Sequence, residues 1–173
     1  MEHPLYDKEC LIFGCGNPLF GDDGFGPAVI ELLEDKRCTP QNVTVLDVGT
    51  SVRDILFDIL LSATRPQRIV IVDAVRMPGR EPGDIFEIAV EEISPAKISD
   101  FSLHQFPTTN MLKEIKEHTG IDVRVFVVQT TDLPSEVRPG LSEPVQQAVP
   151  RMVDKLIRLM TQPAPAVQQG SMP

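Results

Sequence analysis

Two adjacent aspartates in a glycine-rich stretch are the residues of this sequence that first suggest chemistry. Asp22 and Asp23 lie within GCGNPLFGDDGFG, residues 14–26, between an apolar run and an amphipathic one. Carboxylates in such a loop can move protons or ligate a metal ion. They can also cap the following helix, where an acid stabilises the first turn by roughly 0.5–2 kcal/mol. The loop by itself leaves both interpretations open.

The glycines of this stretch do not fit a nucleotide-binding loop. Gly14 and Gly16 begin a G-x-G, but Leu19 stands where the third glycine of a dinucleotide fingerprint belongs. No Gly-Lys-Ser/Thr follows, so a P-loop is excluded. We expect Asn17 to stabilise a turn through its side chain. The later glycines, up to Gly26, either admit a substrate segment or serve ordinary turn chemistry.

Two further polar residues fall where an α/β sheet places a site, outside the carboxyl ends of its parallel strands. Asp73 follows four apolar residues near the end of the run RIVIVDAV, residues 68–75, so it is either paired or functional. His104 directly precedes a predicted helix. A lone histidine there is more often a local hydrogen-bonding residue than a ligand.

If Asp23, Asp73 and His104 converge in the fold, a role as a metal ligand is favoured for His104 over a local hydrogen-bonding role. Two carboxylates about 4 Å apart repel by roughly 4 kcal/mol at an effective dielectric near 20. A shared proton or a divalent cation would relieve the repulsion, and a cation would also recruit the imidazole. Two carboxylates and one imidazole suit a borderline transition metal better than calcium, which prefers all-oxygen coordination. The sequence does not establish that the three residues meet.

The elements that must position these residues alternate along the chain, which predicts an α/β fold with helices on both sides of a sheet. Ser51 and Ser142 are candidate caps, and Pro150 should kink or interrupt the last helix. The segment 76–84 contains two Pro-Gly pairs and is short for a helical crossover, so the fourth strand should return antiparallel in a mixed five-stranded sheet. The predicted strands are 10–16, 43–49, 68–75, 84–90 and 123–129, and the predicted helices are 25–36, 51–63, 107–118 and 142–160.

Composition narrows the class of protein. The 173 residues fit one domain, predicted over 1–161, followed by a Pro- and Gln-rich flexible tail at 162–173. With 25 acidic and 16 basic side chains and a net charge of −9, nucleic acid and anionic membranes are unlikely partners. The start lacks the build of a signal peptide, and no apolar run nears the roughly 20 residues of a membrane span, so a cytoplasmic location is expected. The three cysteines lack CxxC spacing and should be reduced, mostly buried thiols.

Three segments in order, FGCGNPLFGDDGFGPAVIELL, IVIVDAV and SLHQFPTTNMLKEI, resemble the nickel-iron hydrogenase maturation endopeptidases. The resemblance covers roughly residues 9–160, and its first motif, G-x-G-N-x-L-x-x-D-[DE]-G-x-G, is specific. The SLHQFPTTNML segment further resembles the branch that serves the deazaflavin-coenzyme-reducing hydrogenase of methanogens. The resemblance also implies a mixed five-stranded sheet between helices.

The resemblance implies an activity and its residues. The activity is removal of a carboxyl-terminal extension from the hydrogenase large-subunit precursor after nickel insertion. The family's metal-contacting residues correspond to Asp23, Asp73 and His104, with the nickel supplied by the precursor and no organic cofactor. The metal, or a nearby carboxylate as in an aspartyl-type peptidase, would polarise the carbonyl or activate water. The first of these residues is commonly glutamate in the family, so Asp23 is one methylene shorter.

Three alternative functions remain open at this point. A thiol hydrolase would use Cys15 as nucleophile and His104 as base, although nothing nearby in sequence lowers the pKa of the thiol. A non-cleaving chaperone or adaptor would grip the nickel-loaded subunit with the same three residues. A zinc hydrolase would hold its metal permanently. Arg76 and Arg80 either meet an acidic part of the precursor or are solvated surface charges.

Overall fold

The computed structural model describes residues 7–92 and 106–164 of the chain. The strands are β1 (Cys10–Cys15), β2 (Val43–Gly49), β3 (Arg68–Val75), β4 (Ile85–Ile88) and β5 (Asp122–Gln129). The helices are α1 (Phe25–Asp35), α2 (Val52–Leu61), α3 (Phe106–Thr119) and α4 (Glu143–Met160), and a 3-10 turn, Gly21–Gly24, precedes α1.

The sheet has the strand order β2-β1-β3-β5-β4. Three neighbouring pairs are parallel, and β4 runs antiparallel to β5. The central strand β3 is buried along its whole length, as its β-branched run predicts for a strand covered on both faces. The predicted mixed five-stranded α/β fold is therefore confirmed.

Two apolar layers cover the two faces of the sheet. The side chains of Leu11, Phe13 and Cys15 pack with α2 and α3, whereas Ile12 packs on the other face with α1 and α4. In β3, Ile69, Ile71 and Val75 face the α2/α3 layer, and Val70, Val72 and Ala74 face the α1/α4 layer. Because strand residues alternate between faces, Asp73 lies on the α2/α3 side, the same side as Cys15.

The predicted ends of the elements agree with the structure within two residues, but the predicted serine caps and the predicted interruption of the last helix were wrong. Neither Ser51 nor Ser142 makes a side-chain capping hydrogen bond. Pro150 does not interrupt α4, which is continuous from Glu143 to Met160. The amphipathic stripe of α4 is buried on both sides of the proline, and this packing offsets the lost backbone hydrogen bond.

Arg68 fixes the far edge of the sheet, where the parallel strands begin. Its guanidinium is buried, pairs with Asp122 at 2.7 Å and donates to the carbonyls of Gln162 and Pro163. The first residues of the predicted tail are thus held by Arg68, while residues 165–173 lie outside the described part of the chain. Within the described ranges, no helix combines the length and apolar character that crossing a membrane requires.

Candidate functional site

The candidate site lies at the carboxyl edge of the sheet. Because β2, β1, β3 and β5 are parallel, the segments that follow them all emerge at this edge. Three of these segments matter here: the loop 16–24 after β1, the loop 76–84 after β3, and residues 130–142 after β5, which we call the strap. The loop 16–24 carries both aspartates of the opening motif.

Asp23 is held inside the loop by the backbone around it. It is 3% exposed, and its Oδ2 accepts a hydrogen bond from the Asn17 backbone N–H at 2.8 Å. Asn17 Oδ1 accepts from the Leu19 N–H at 3.0 Å, which confirms the predicted side-chain turn. Gly16 has a φ of 122°, and a Cβ there would lie 1.9 Å from the Asp23 carbonyl oxygen, so only glycine fits.

Asp22 does not cap α1, so the capping interpretation of the acidic pair is wrong. The N-cap of α1 is Gly24, and no side chain caps the helix. The buried Asp22 carboxylate instead accepts from the backbone N–H of Ser142 at 2.6 Å and from its hydroxyl at 2.9 Å. Asp22 therefore joins the loop after β1 to the amino end of α4, 120 residues away in sequence.

We expect Asp22→Ala to lower the free energy of unfolding by about 1–3 kcal/mol, because two hydrogen bonds to a buried carboxylate are lost. Ser142→Ala removes only the hydroxyl bond and leaves the backbone N–H on Asp22 Oδ1, so its effect should be smaller. Urea unfolding of both variants measures the difference. A larger loss for Ser142→Ala than for Asp22→Ala would contradict this account.

Asp73 is fully buried in β3, on the face that carries α2 and α3. Its Oδ1 accepts a hydrogen bond from the Ala74 N–H at 2.8 Å. The 3-10 turn that contains Asp23 lies against β3, so the two aspartates approach the same edge from neighbouring strands. Asp73 is thus a buried carboxylate at the place where parallel sheets hold their sites.

The thiol of Cys15 is buried in an acidic environment, which affects its pKa. Burial raises the pKa of its thiol well above the ordinary value, and the nearby carboxylates of Asp73, Asp47 and Asp23 raise it further. A side chain that is 2% exposed, with a thiol that stays protonated, is the opposite of an activated nucleophile. The structure therefore contradicts the thiol-hydrolase alternative.

This environment predicts which thiols react. Under native conditions at pH 8, iodoacetamide should modify Cys38, which is exposed, and leave buried Cys15 and Cys10 unmodified, the latter with a pKa raised to about 11 by burial. Mass spectrometry should show one adduct in the native protein and three after denaturation. Rapid native modification of Cys15, with loss of activity, would restore the thiol mechanism.

Of the three predicted site residues, the structure describes Asp23 and Asp73, and His104 lies outside the described residues. Within 7–92 and 106–164, no three His, Cys, Asp or Glu side chains are grouped closely enough to hold a metal ion. The full set of three consequently stays a prediction. The described part of α3, whose first residue is two positions after His104, packs on the face where Asp73 lies.

Sequence reasoning missed the strap. Its Arg138 donates through the backbone N–H to the Leu19 carbonyl and accepts from the Gly21 N–H, both at 2.8 Å, so the strap is fastened to the loop of the aspartates. In the sequence of the strap, only Pro134, Pro139 and Gly140 indicate an ordered turn. Of the two predicted basic residues, Arg80 stacks 3.6 Å from the centroid of the Phe86 ring, and Arg76 lies 3.9 Å from Asp132.

Comparison with known proteins identifies the family of the chain. The family model for HycI, hydrogenase maturation protease, matches residues 27–159. A putative hydrogenase maturation protease of Methanocaldococcus jannaschii is 38% identical over 151 residues, 87% of this chain and 95% of that protein. The coenzyme F420 hydrogenase subunit delta of Methanothermobacter thermautotrophicus is 36% identical over 156 residues, 88% and 94% of the two chains.

A solved structure extends the likeness to the fold. The solution structure of the endopeptidase HycI from Escherichia coli superposes with a TM-score of 0.69 at 26% identity, covering 92% of this chain and 98% of that one. The chain belongs to the hydrogenase maturation protease family.

Proposed function

We propose that this protein removes a carboxyl-terminal extension from a nickel-iron hydrogenase large-subunit precursor after nickel insertion, and that it recognises the bound nickel. In this proposal Asp23, Asp73 and His104 contact the nickel that the precursor brings. The likeness to the F420 hydrogenase subunit delta favours a precursor of the deazaflavin-coenzyme-reducing hydrogenase. We further propose that the protein acts in the cytoplasm.

One observation carries the proposal: two buried carboxylates, Asp23 and Asp73, lie at one edge of the sheet, where the 3-10 turn that contains Asp23 packs against β3. Two ionised carboxylates brought to one buried edge repel each other, and a divalent cation that both contact relieves the repulsion. A cation delivered by the precursor would neutralise the carboxylates at the sheet edge only when the precursor is bound. Binding would then favour precursor that has received its metal.

The chemistry is peptide hydrolysis at a bond adjacent to the nickel site. A water oxygen adds to the carbonyl carbon while a carboxylate at the edge accepts the proton of that water. The C–N bond then breaks, and the same proton passes to the leaving nitrogen. In this proposal Asp23 and Asp73 orient the metal-bearing segment and supply the acid–base group.

The test compares nickel-loaded with nickel-free precursor. Each is incubated with the purified protein, and the mass of the large subunit is followed with time. We expect loss of the carboxyl-terminal extension from the nickel-loaded precursor alone. Equal cleavage of both forms would refute nickel recognition. A stable complex without any change in mass would instead support the non-cleaving chaperone.

A metal assay separates the proposal from a permanent zinc hydrolase. If the nickel arrives with the precursor, the purified protein should contain no stoichiometric zinc. Protein that is treated with a chelator, and then freed of the chelator, should cleave nickel-loaded precursor at the full rate. Stoichiometric zinc whose removal abolishes cleavage, with recovery only on adding zinc, would favour the resident-metal enzyme.

A further inference from the structure

A groove leads from the loop of the two aspartates along helix α1. It is a cavity of about 350 Å³, within the roughly 300–1,000 Å³ that ligand pockets span. We call it the α1 groove, and nothing in the function proposed above uses it. Its lining combines residues of the loop 16–24, of α1 and of the strap, among them Pro18, Gly24, Ala28, Glu31, Glu34 and Leu141.

One face of α1 gives the groove both apolar and acidic surface. Pro27, Ala28, Glu31 and Glu34 all line it, because residues three, four and seven positions apart lie on the same side of a helix. Pro27 is buried and Ala28 is half-buried, whereas both glutamates are exposed. The α1 groove therefore has an apolar floor near the loop and two carboxylates further along the helix.

The charge of the α1 groove has one sign. None of the described residues that line it is basic, and Glu31 and Glu34 are one helical turn apart. A third carboxylate, that of Asp47 at the end of β2, accepts the Gly49 backbone N–H at 2.9 Å and so already serves the turn after that strand. The groove repels an acidic segment and attracts a cationic one. Lysine and arginine match both of its parts, since their methylene stems cover apolar surface while the charged end stays in water beside a carboxylate.

The α1 groove is within reach of a peptide bond held at the aspartates. Gly24 adjoins Asp23 in the chain, and at 1.5 Å per helical residue Glu31 and Glu34 lie about 9 and 14 Å along α1 from its first residue. An extended peptide covers that distance in about three to four residues. The α1/α4 layer lies on the opposite side of the sheet from Asp73. A nickel-bearing segment held on the Asp73 side leaves the groove to the segment beyond the cleaved bond.

From this arrangement we infer that the α1 groove binds a lysine or arginine side chain of the carboxyl-terminal extension, about three to four residues beyond the cleaved bond. The inference rests on the proposed function and names a part of the substrate. Glu31 and Glu34 contact the cationic end of that side chain, and Ala28 and Leu141 cover its methylene groups. Both glutamates are specificity residues, and neither takes part in bond breaking.

The experiment uses steady-state cleavage of nickel-loaded precursor at low salt. Glu31→Gln and Glu34→Gln should each raise KM about two- to fivefold, the range for an exposed ion pair, and leave kcat near the wild-type value, because a uniform binding contact is lost. In about 1 M salt the difference should disappear, since exposed charges are then screened. Asp35→Asn is the matched control: it removes the same charge from an exposed position on α1 that does not line the groove, so KM should not change.

Changes in the substrate identify the bound side chain. Each lysine and arginine among the first six residues of the extension is replaced by glutamine, one at a time. One replacement should raise KM for the wild type and have no further effect on the double variant Glu31→Gln/Glu34→Gln. Glu34→Lys should bind natural precursor poorly and recover when that one substrate residue is made glutamate. Unchanged KM in both single variants at low salt, or an extension without a basic residue in those six positions, would overturn the inference.

Failure of this inference and failure of the proposed function are distinguishable. Binding of a fluorescent extension peptide, measured by anisotropy without any cleavage, should weaken about two- to fivefold in each glutamate variant and not in Asp35→Asn. If the wild type cleaves no precursor but this binding pattern holds, the proposed activity fails and the groove site stands. If cleavage is normal while KM and peptide binding ignore both glutamates, the groove site fails alone. Absence of both cleavage and peptide binding would refute both.

Discussion

Replacing Asp73 with asparagine should reduce cleavage of nickel-loaded precursor at least about 100-fold, the size of effect typical when an acid–base group is lost. Asparagine keeps the shape of the side chain and removes the charge that cation binding and proton transfer require in the proposed mechanism. We expect a loss of similar size for Asp23→Asn and His104→Ala. Single-turnover cleavage followed by mass spectrometry measures all three.

Stability is the internal control for these variants. Because the amide oxygen of asparagine can still accept the backbone hydrogen bond that each buried aspartate accepts, unfolding in urea should occur at nearly the same midpoint. Asp58→Asn removes the same charge from an exposed position on α2 and should leave cleavage unchanged. Full activity in Asp23→Asn and Asp73→Asn would remove both carboxylates from the mechanism. A collapse of stability would assign them a structural role.

The second large effect is expected at Gly26, the second residue of α1. A Cβ there would lie 2.2 Å from the Cys15 carbonyl oxygen, 2.5 Å from the Cys15 nitrogen and 2.7 Å from the Val72 carbonyl oxygen. All three atoms belong to the backbones of β1 and β3, which cannot move aside separately. We expect Gly26→Ala to lower the free energy of unfolding by about 3 kcal/mol or more, at or above the upper range for overpacking.

Helix propensity alone predicts that Gly26→Ala raises the free energy of unfolding, so the variant separates the two effects. Alanine within a helix is favoured over glycine by about 1 kcal/mol, so without the contact Gly26→Ala would stabilise α1. Gly79→Ala is the matched control: no atom lies within 4 Å of its Cβ, and its φ of 79° costs alanine about 1–2 kcal/mol. Chemical unfolding of both proteins gives the comparison. A Gly26→Ala protein as stable as the wild type would disprove the close approach.

Gly26 also corrects one idea drawn from the sequence. The glycine is needed for contact between α1 and the strands, and not for admission of a substrate segment. The close approach sets where α1 begins and hence where the preceding turn holds Asp23. The packing of α1 against β1 and β3 therefore affects the position of Asp23. We expect Gly26→Ala to weaken cleavage even in molecules that remain folded.

Much of the fold follows from the sequence alone. The apolar runs of β1 and β3 and the helical periodicity of α2 are strong local patterns, and local patterns fix the type of an element because the chain buries apolar faces at periods of 2 and 3.6 residues. The shortness of the 76–84 segment correctly predicted the antiparallel return of β4. The position of Asp73 after four apolar residues likewise marked it as a candidate site residue from the sequence alone.

Only the tertiary structure decided what the polar residues do. Asp22 and Asp23 are adjacent and chemically identical, yet one binds Ser142 across the fold and the other accepts from Asn17 within its own loop. Arg76 and Arg138 are 62 residues apart in sequence and share Asp132. Such partners are set by long-range packing of loops at one sheet edge, and no local periodicity encodes which loop will lie beside which.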